Sequence, residues 1–329
     1  MSGASTSKEK GEGFDVQKHG DARIALIGYP SVGKSTLQHC LTGVRTAIAS
    51  YEFTTLTCVP GIIKYRDTTL QLLDLPGIVE GAANGRGRGR QVIAVARSAD
   101  IILMVLDATK DAEQRQRLEY ELETVGIRLN KSMPNITITR KAHGGILFNS
   151  TVPLTRMNQK LCQTILNTYK IFNADVIFRE DCGPESLIDV IEGNRKYIKC
   201  LYVYNKIDML SIDQIDALAR SPDSVCISSE RKWNLDQLLH VLWGYLNIVR
   251  VYTKRALSEP NFEEPIILTF QRGGASIKNL LPYIHKDLLK SAKSAMVWGT
   301  SVKFYPQQVT LDHVLEDEDV VQIIKKKTE

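Results

Sequence analysis

The chain has 329 residues, of which 43% are hydrophobic and 24% charged, and these values fit two or three globular domains with sizeable cores. Its net charge of +5 permits contact with a polyanion without demanding it, and the polar N-terminus has no secretory apolar core; the longest apolar stretch, 101–106, is far below the roughly 20 residues of a membrane span. Six cysteines at 40, 58, 162, 182, 200 and 226 form no C-x-x-C pair and no His cluster accompanies them, which argues against a zinc site or disulfide framework and fits reduced thiols in a cytoplasmic protein.

Residues 1–20, rich in Ser, Gly and Lys, read as a flexible tail. The apolar run 22–27 reads as a buried strand, followed by a Gly-rich loop and a helix opening at Lys34. Further strands are expected at 69–73, 101–106, 197–204 and 224–228. A helix is expected at 113–125, and Asn234 can cap another that carries Leu238, Leu239, Leu242 and Leu246. This alternation predicts an α/β, doubly wound, mostly parallel sheet in a domain spanning 21–254. Two regions depart from it. Segments 135–140 and 146–152 alternate apolar and polar residues around His143-Gly144-Gly145, which predicts a hairpin with His143 as a turn residue. A helix at 157–170 and a strand at 174–178 complete a small α+β insertion at 130–197. After the linker-like Ser258-Glu259-Pro260-Asn261, a strand at 266–270, a helix at 280–294 and short strands at 301–305 and 320–324 predict a mixed β domain at 262–329. Lys325, Lys326 and Lys327 read as a solvated end.

Gly28-Tyr29-Pro30-Ser31-Val32-Gly33-Lys34-Ser35 fits G-x-x-x-x-G-K-[ST] between a strand and a helix. In that context main-chain N–H groups curl around phosphate oxygens, Lys34 reaches the β- and γ-phosphates and Ser35 ligates Mg²⁺. Asp74-Leu75-Pro76-Gly77 ends a strand, so Asp74 is expected to hold Mg²⁺ through water and the Gly77 N–H to meet the γ-phosphate. Asn205-Lys206-Ile207-Asp208 also ends a strand. Guanine offers two adjacent donors that one carboxylate, Asp208, can accept; adenine leaves that carboxylate unpaired, a mismatch of several kcal/mol. Asn205 suits the Hoogsteen edge and the Lys206 stem the base plane. Ser228-Ser229-Glu230 occupies the place where an N–H approaches guanine O6. Between the first two motifs lies Tyr51-Glu52-Phe53-Thr54-Thr55-Leu56-Thr57; a threonine here is expected to ligate Mg²⁺ and sense the γ-phosphate, and Thr54, Thr55 and Thr57 are all candidates by composition. GTP and GDP are the expected ligands.

These motifs, with Gly87-Arg88-Gly89-Arg90-Gln91-Val92-Ile93-Ala94-Val95-Ala96-Arg97, closely resemble those of the developmentally regulated GTP-binding proteins, an Obg-type branch of translation-factor-like P-loop GTPases. Lys170-Ile171-Phe172-Asn173-Ala174-Asp175 and Phe178-Arg179-Glu180-Asp181-Cys182 look like the second eukaryotic paralogue branch. The resemblance implies that Thr55, with Phe53 and Leu56 beside it, is the Mg²⁺-ligating threonine. It implies that the insertion is like the second domain of ribosomal protein S5, and that the C-terminal segment is a β-grasp TGS domain. It also implies a link to ribosomes or RNA and to DRG family regulatory proteins. No DNA and no membrane partner is expected. About twelve residues precede Gly13, where the family usually carries a longer helical segment, so a helix-turn-helix-like module is not expected.

Small GTPases follow the Asp-x-x-Gly motif with a glutamine that orients the attacking water. Ile78 stands at that position, so intrinsic hydrolysis is expected to be slow. The backbone of Thr55, a bound monovalent cation such as K⁺, or a partner's side chain is left to place the water. The loop Asn84-Gly85-Arg86-Gly87-Arg88-Gly89-Arg90 has three open readings: a solvated loop, an RNA contact, or a self-supplied arginine finger. A switch enzyme and a nucleotide-gated binding module with negligible turnover are both compatible with Ile78.

Overall fold

The computed structural model describes residues 20–42, 59–75, 95–269 and 273–326. The chain divides into two compact units, one of Met1–Leu118 with Cys200–Glu329 and one of Glu119–Lys199.

The first unit opens with β1 (Ala22–Ile27), all six residues of which are buried. Helix α1 (Lys34–Thr42) follows, then β2 (Val59–Tyr65), β3 (Thr68–Asp74) and β4 (Ile101–Asp107). Strand β1 pairs in parallel with both β3 and β4, while β2 pairs antiparallel with β3. Strands covered on both faces have no polar side to present, which is why β1 and β4 read as unbroken apolar runs. The exception is Arg23, 2% exposed, whose Nε donates to Gln71 Oε1 at 3.0 Å and whose Nη1 donates to Ser98 Oγ at 2.6 Å. Its main-chain N–H donates to Asp100 at 2.7 Å, so this buried charge is well bonded. Helix α2 (Glu113–Thr124) follows β4.

The second unit holds β5 (Ile127–Leu129), β6 (Ile136–Arg140), β7 (Ile146–Ser150), α3 (Gln159–Thr168), β8 (Ala174–Phe178) and α4 (Pro184–Glu192). The expected hairpin does not form. The order is β6-β8-β7, with β8 antiparallel to β6 and parallel to β7. Strand β8 alternates buried with half-buried residues, so it takes the centre and separates its two neighbours. The turn at Gly145 is closed by Asn173, which accepts from Gly145 N at 2.8 Å and donates to Ala142 O at 3.3 Å. Ile136, Leu166, Val176, Phe178 and Leu187 belong to the core of this unit. The unit is wider than the expected 130–197 because β5 pairs with Lys196, Tyr197 and Ile198 at the start of β9 (Lys196–Asn205).

Beyond β9 come α5 (Ile212–Ala219), β10 (Ser224–Cys226) and α6 (Leu235–Leu246). The larger sheet has the order β10-β9-β4-β1-β3-β2. The C-terminal sheet comprises β11 (Ile248–Thr253), β12 (Asn261–Thr269), β13 (Ala292–Trp298), β14 (Gln307–Val309) and β15 (Asp319–Lys325), in the order β12-β11-β15-β13-β14. Helices α7 (Ile277–Ile284) and α8 (Leu288–Ser291) accompany it.

Three expectations are corrected here. The C-terminal sheet begins at Ile248, because β11 pairs with β12 and β15, so the boundaries at 254 and 262 fall inside it. The helix expected at 280–294 ends near His285, an extended C-cap, and Ala292–Trp298 is a strand bonded to β15. No strand covers 301–305, where Val302 is instead buried in the core with Val251, Ile277, Val297 and Val321.

Candidate functional site

The loop at Gly28–Ser35, the acidic end of β3 at Asp74 and the loop at Asn205–Asp208 lie at one end of the larger sheet. At the end of β1 the chain turns through Gly28–Gly33 and enters α1. Ser31 and Gly33 have positive φ of 64° and 94°. A loop with positive φ running into a helix N-terminus is the kind of backbone that can present main-chain N–H groups to phosphate. Gly28 is required sterically, since a Cβ there meets Val105 O at 2.3 Å. Tyr29 packs partly against the core, Pro30 and Ser31 are exposed, and Val32 is 1% exposed.

Lys34 is 8% exposed and its Nζ donates to Gly28 O and Tyr29 O, both at 2.8 Å. Burial lowers its pKa, and the nearby carboxylate of Asp74 offsets part of that. Ser35 Oγ donates to Asp74 Oδ2 at 2.6 Å, while Asp74 Oδ1 is buried and has no hydrogen-bond partner. A buried carboxylate oxygen left unpaired is costly. A hydroxyl and a carboxylate fit a hard divalent cation that keeps most of its shell as water and phosphate oxygens. Among the described residues no group of three or more His, Cys, Asp or Glu could hold a metal. Leu75, fully buried, donates its N–H to Leu26 O at 3.3 Å and fixes the end of β3 against β1.

Asn205, 2% exposed, ties the two halves of the site together. Its Nδ2 donates to Val32 O at 2.9 Å, and its Oδ1 accepts from Ser229 N at 2.9 Å. Lys206 adopts left-handed φ of 68° and its Nζ donates to Asp107 Oδ2 at 2.6 Å. Ile207 is buried. Asp208 Oδ1 accepts from Ser228 Oγ at 2.6 Å. Ser228 pairs with Trp233 in an isolated bridge, Ser229 Oγ is buried without a partner, and Glu230 is exposed.

Two features were not anticipated. Asp107, 5% exposed, closes β4 and anchors Lys206. Burial acts to raise its pKa, but bonds from Lys206 and from Thr109 hold it below the ordinary carboxylate value. An acidic residue ending an otherwise apolar strand was the available signal. Beside the phosphate loop, Tyr29, Pro30, Thr109, Lys110, Gln114 and Arg117 line a cavity of about 610 Å³, and both amide atoms of Gln114 are buried without a partner. The expected site residues Phe53, Thr54, Thr55, Leu56, Thr57, Pro76 and Gly77, together with Ile78 and Arg86, Arg88 and Arg90, lie outside the described residues.

Gly33 gives a direct check on the bridge through Asn205. A Cβ at Gly33 meets Asn205 Nδ2 at 2.4 Å, and φ there is +94°. Gly33→Ala is expected to displace Asn205 and impose about 1–3 kcal/mol of backbone strain. Thermal unfolding should register a lower melting temperature and calorimetry a weaker nucleotide; an unaltered melting curve with unaltered affinity contradicts the geometry.

Comparison with known proteins supplies independent findings. A family profile described as 50S ribosome-binding GTPase matches residues 23–141, one described as the C-terminal region of that domain matches 143–248, and one described as TGS domain matches 249–325. The chain is 58% identical over 317 residues to "Developmentally-regulated G-protein 2" of Arabidopsis thaliana, covering 96% of this chain and 79% of that one. It is 60% identical over 321 residues to "Developmentally-regulated GTP-binding protein 2" of Bos taurus, and 59% identical over 321 residues to the Homo sapiens protein of that name. Each of these two matches covers 98% of this chain and 87% of the relative. No helix among the described residues is long and apolar enough to cross a membrane.

Proposed function

The chain belongs to the developmentally regulated GTP-binding protein family, and from that premise we propose that it binds Mg²⁺·GTP, hydrolyses it slowly to GDP and phosphate, and acts as a switch on ribosomes. The observation that carries the reading is the Asn205 bridge, which joins the phosphate loop at Val32 to the base-recognition loop at Ser229. Phosphate-binding and guanine-binding groups are thereby held as one preorganised receptor.

In this reading Lys34 leaves the carbonyls of Gly28 and Tyr29 to donate to the β- and γ-phosphates, and its charge stabilises negative charge developing on the transferred group. Ser35 and Asp74 would hold Mg²⁺, with Thr55 as the third protein group. When bound, Mg²⁺ would supply positive charge that offsets the negative charge of the phosphates. Asp208 accepts from the guanine N1–H and N2 amine, the Lys206 stem covers the base, and the Ser229 region meets O6. Gly77 N–H senses the γ-phosphate. Phe53, Thr54, Leu56, Thr57 and Pro76 carry these groups. The inserted unit and the C-terminal sheet are read as S5-like and TGS modules that contact RNA or a DRG family regulatory protein, in a cytoplasmic protein.

Ile78 sustains the alternative of a nucleotide-gated binding module with negligible turnover. Single-turnover hydrolysis in potassium and sodium buffers, alone and with the regulatory partner, separates the two readings. The switch reading expects a slow basal rate that rises with potassium or with the partner. A rate indistinguishable from uncatalysed GTP decay in every condition overturns it and leaves the binding module. Sedimentation of lysate with a GTP analogue or with GDP checks the ribosome link, and identical distributions in both states refute a nucleotide-controlled association.

A further inference from the structure

Strands β2 and β3 form a hairpin with the site at one end and the C-terminal sheet at the other. Their pairing runs from Val59↔Asp74 to Tyr65↔Thr68. The connecting Arg66 and Asp67 have φ of 46° and 59°, the left-handed pair of a tight hairpin turn. Asp74 therefore lies about 20 Å from Arg66, at ~3.3 Å per strand residue.

The turn is anchored by ring contacts. The Arg66 guanidinium lies 5.4 Å from the Tyr65 ring centre and 5.6 Å from that of Trp243 on α6. Its Nη2 reaches His240 Nδ1 at 3.5 Å, and Tyr65 meets Trp243 edge to face at 5.8 Å. Trp243 in turn stands 5.6 Å from the guanidinium of Arg250 on β11. Arg250, 8% exposed, donates from Nε and Nη2 to the two oxygens of Asp317 at 3.0 and 2.7 Å and from Nη2 to Glu318 at 2.6 Å. Burial acts to raise the Asp317 pKa, yet the bonds from Arg250 keep it below the ordinary value, with a smaller contribution from the Arg66 charge. Ile267 of β12 joins the same apolar cluster as Trp243, Leu246 and Ile248. One continuous series, Tyr65–Arg66–Trp243–Arg250–Asp317, thus links the hairpin turn to the C-terminal sheet.

We propose that Arg66 is a positioning residue for the nucleotide site, through which the C-terminal sheet sets the site's preference between di- and triphosphate. The inference rests on the reading of Asp74, at the base of the hairpin, as a group that responds to Mg²⁺ and the bound nucleotide. The base of the hairpin, where Val59 pairs with Asp74, then answers to the nucleotide, and a paired hairpin transmits a shift at its base to its turn. Coupling is reciprocal: what the nucleotide does to the turn, the anchoring of the turn does to the nucleotide.

The test uses the full chain and Arg66→Ala, with Arg66→Lys as the conservative variant that keeps the charge and loses the planar stack. Dissociation constants for GDP and a non-hydrolysable GTP analogue are measured with Mg²⁺ by calorimetry, and hydrogen exchange is followed at the turn and along β11. Arg66→Ala is expected to change the ratio of the two constants by about three- to fivefold, in keeping with one exposed cation–π contact. Arg66→Lys should recover part of that shift, and exchange along β11 should stop depending on the bound nucleotide in Arg66→Ala. An unchanged ratio and unchanged nucleotide-dependent exchange overturn the coupling while leaving the GTP reading intact. Failure of the unsubstituted chain to bind either nucleotide overturns the GTP reading itself.

Discussion

Asp208→Asn is expected to invert base preference from guanine to xanthine. Asp208 uses Oδ1 to accept from Ser228 Oγ at 2.6 Å, and an asparagine oxygen can keep that bond, so the loop stays folded. In the proposed reading, its amide nitrogen then replaces the oxygen that meets the base. Two guanine donors meet a third donor, whereas the C2 carbonyl of xanthine meets a partner. A site built to bond a polar edge rejects the wrong edge by several kcal/mol, so GTP affinity should fall about a thousandfold while XTP affinity rises to within reach of the original value. Competition of GTP and XTP for a fluorescent nucleotide on both proteins measures the inversion. Retention of guanine preference in the variant removes Asp208 from the recognition role.

Lys34→Ala has the second large expected effect. The lysine is buried, and its two carbonyl bonds at 2.8 Å hold the amine at the mouth of the phosphate loop. Burial lowers its pKa, which means the charged amine is poorly solvated there, and phosphate oxygens supply what water does not. Losing two charge-assisted bonds is worth about 3–4 kcal/mol, or roughly a hundred- to a thousandfold in affinity for GTP. In the proposed reading both nucleotides gain from Lys34, the triphosphate more, so the loss for GDP should be smaller. Calorimetric titration of the folded variant with each nucleotide decides the matter; equal losses for the two place Lys34 away from the γ-phosphate.

The nucleotide loops were legible in the sequence because each is local. A phosphate loop needs glycine at fixed spacing, and Gly33 stands where φ is +94° and a Cβ collides with Asn205. The strands before these loops are buried on both faces and announce themselves as apolar runs. Pairing was less legible. Segments 135–140 and 146–152 have hairpin spacing, but Ala174–Phe178 buries alternate residues and displaces that local partner. The C-terminal boundary was misplaced for a related reason. Ser258-Glu259-Pro260-Asn261 has linker composition, yet it joins β11 to β12 within one antiparallel pair. The ion pair of Lys206 with Asp107 spans 99 positions, and nothing in either neighbourhood signals the other.

The strand order of the larger sheet bears on how the protein is made. Strand β4 has β9 as its neighbour, yet Lys196 emerges long after Asp107, once nearly all of the Glu119–Lys199 unit has been synthesised. At ~5–20 residues per second the intervening ~90 residues take about 5–20 s. Throughout that interval the nascent chain carries an apolar strand with one edge open. An unpaired apolar edge of this kind is a template for pairing with another chain until β9 covers it.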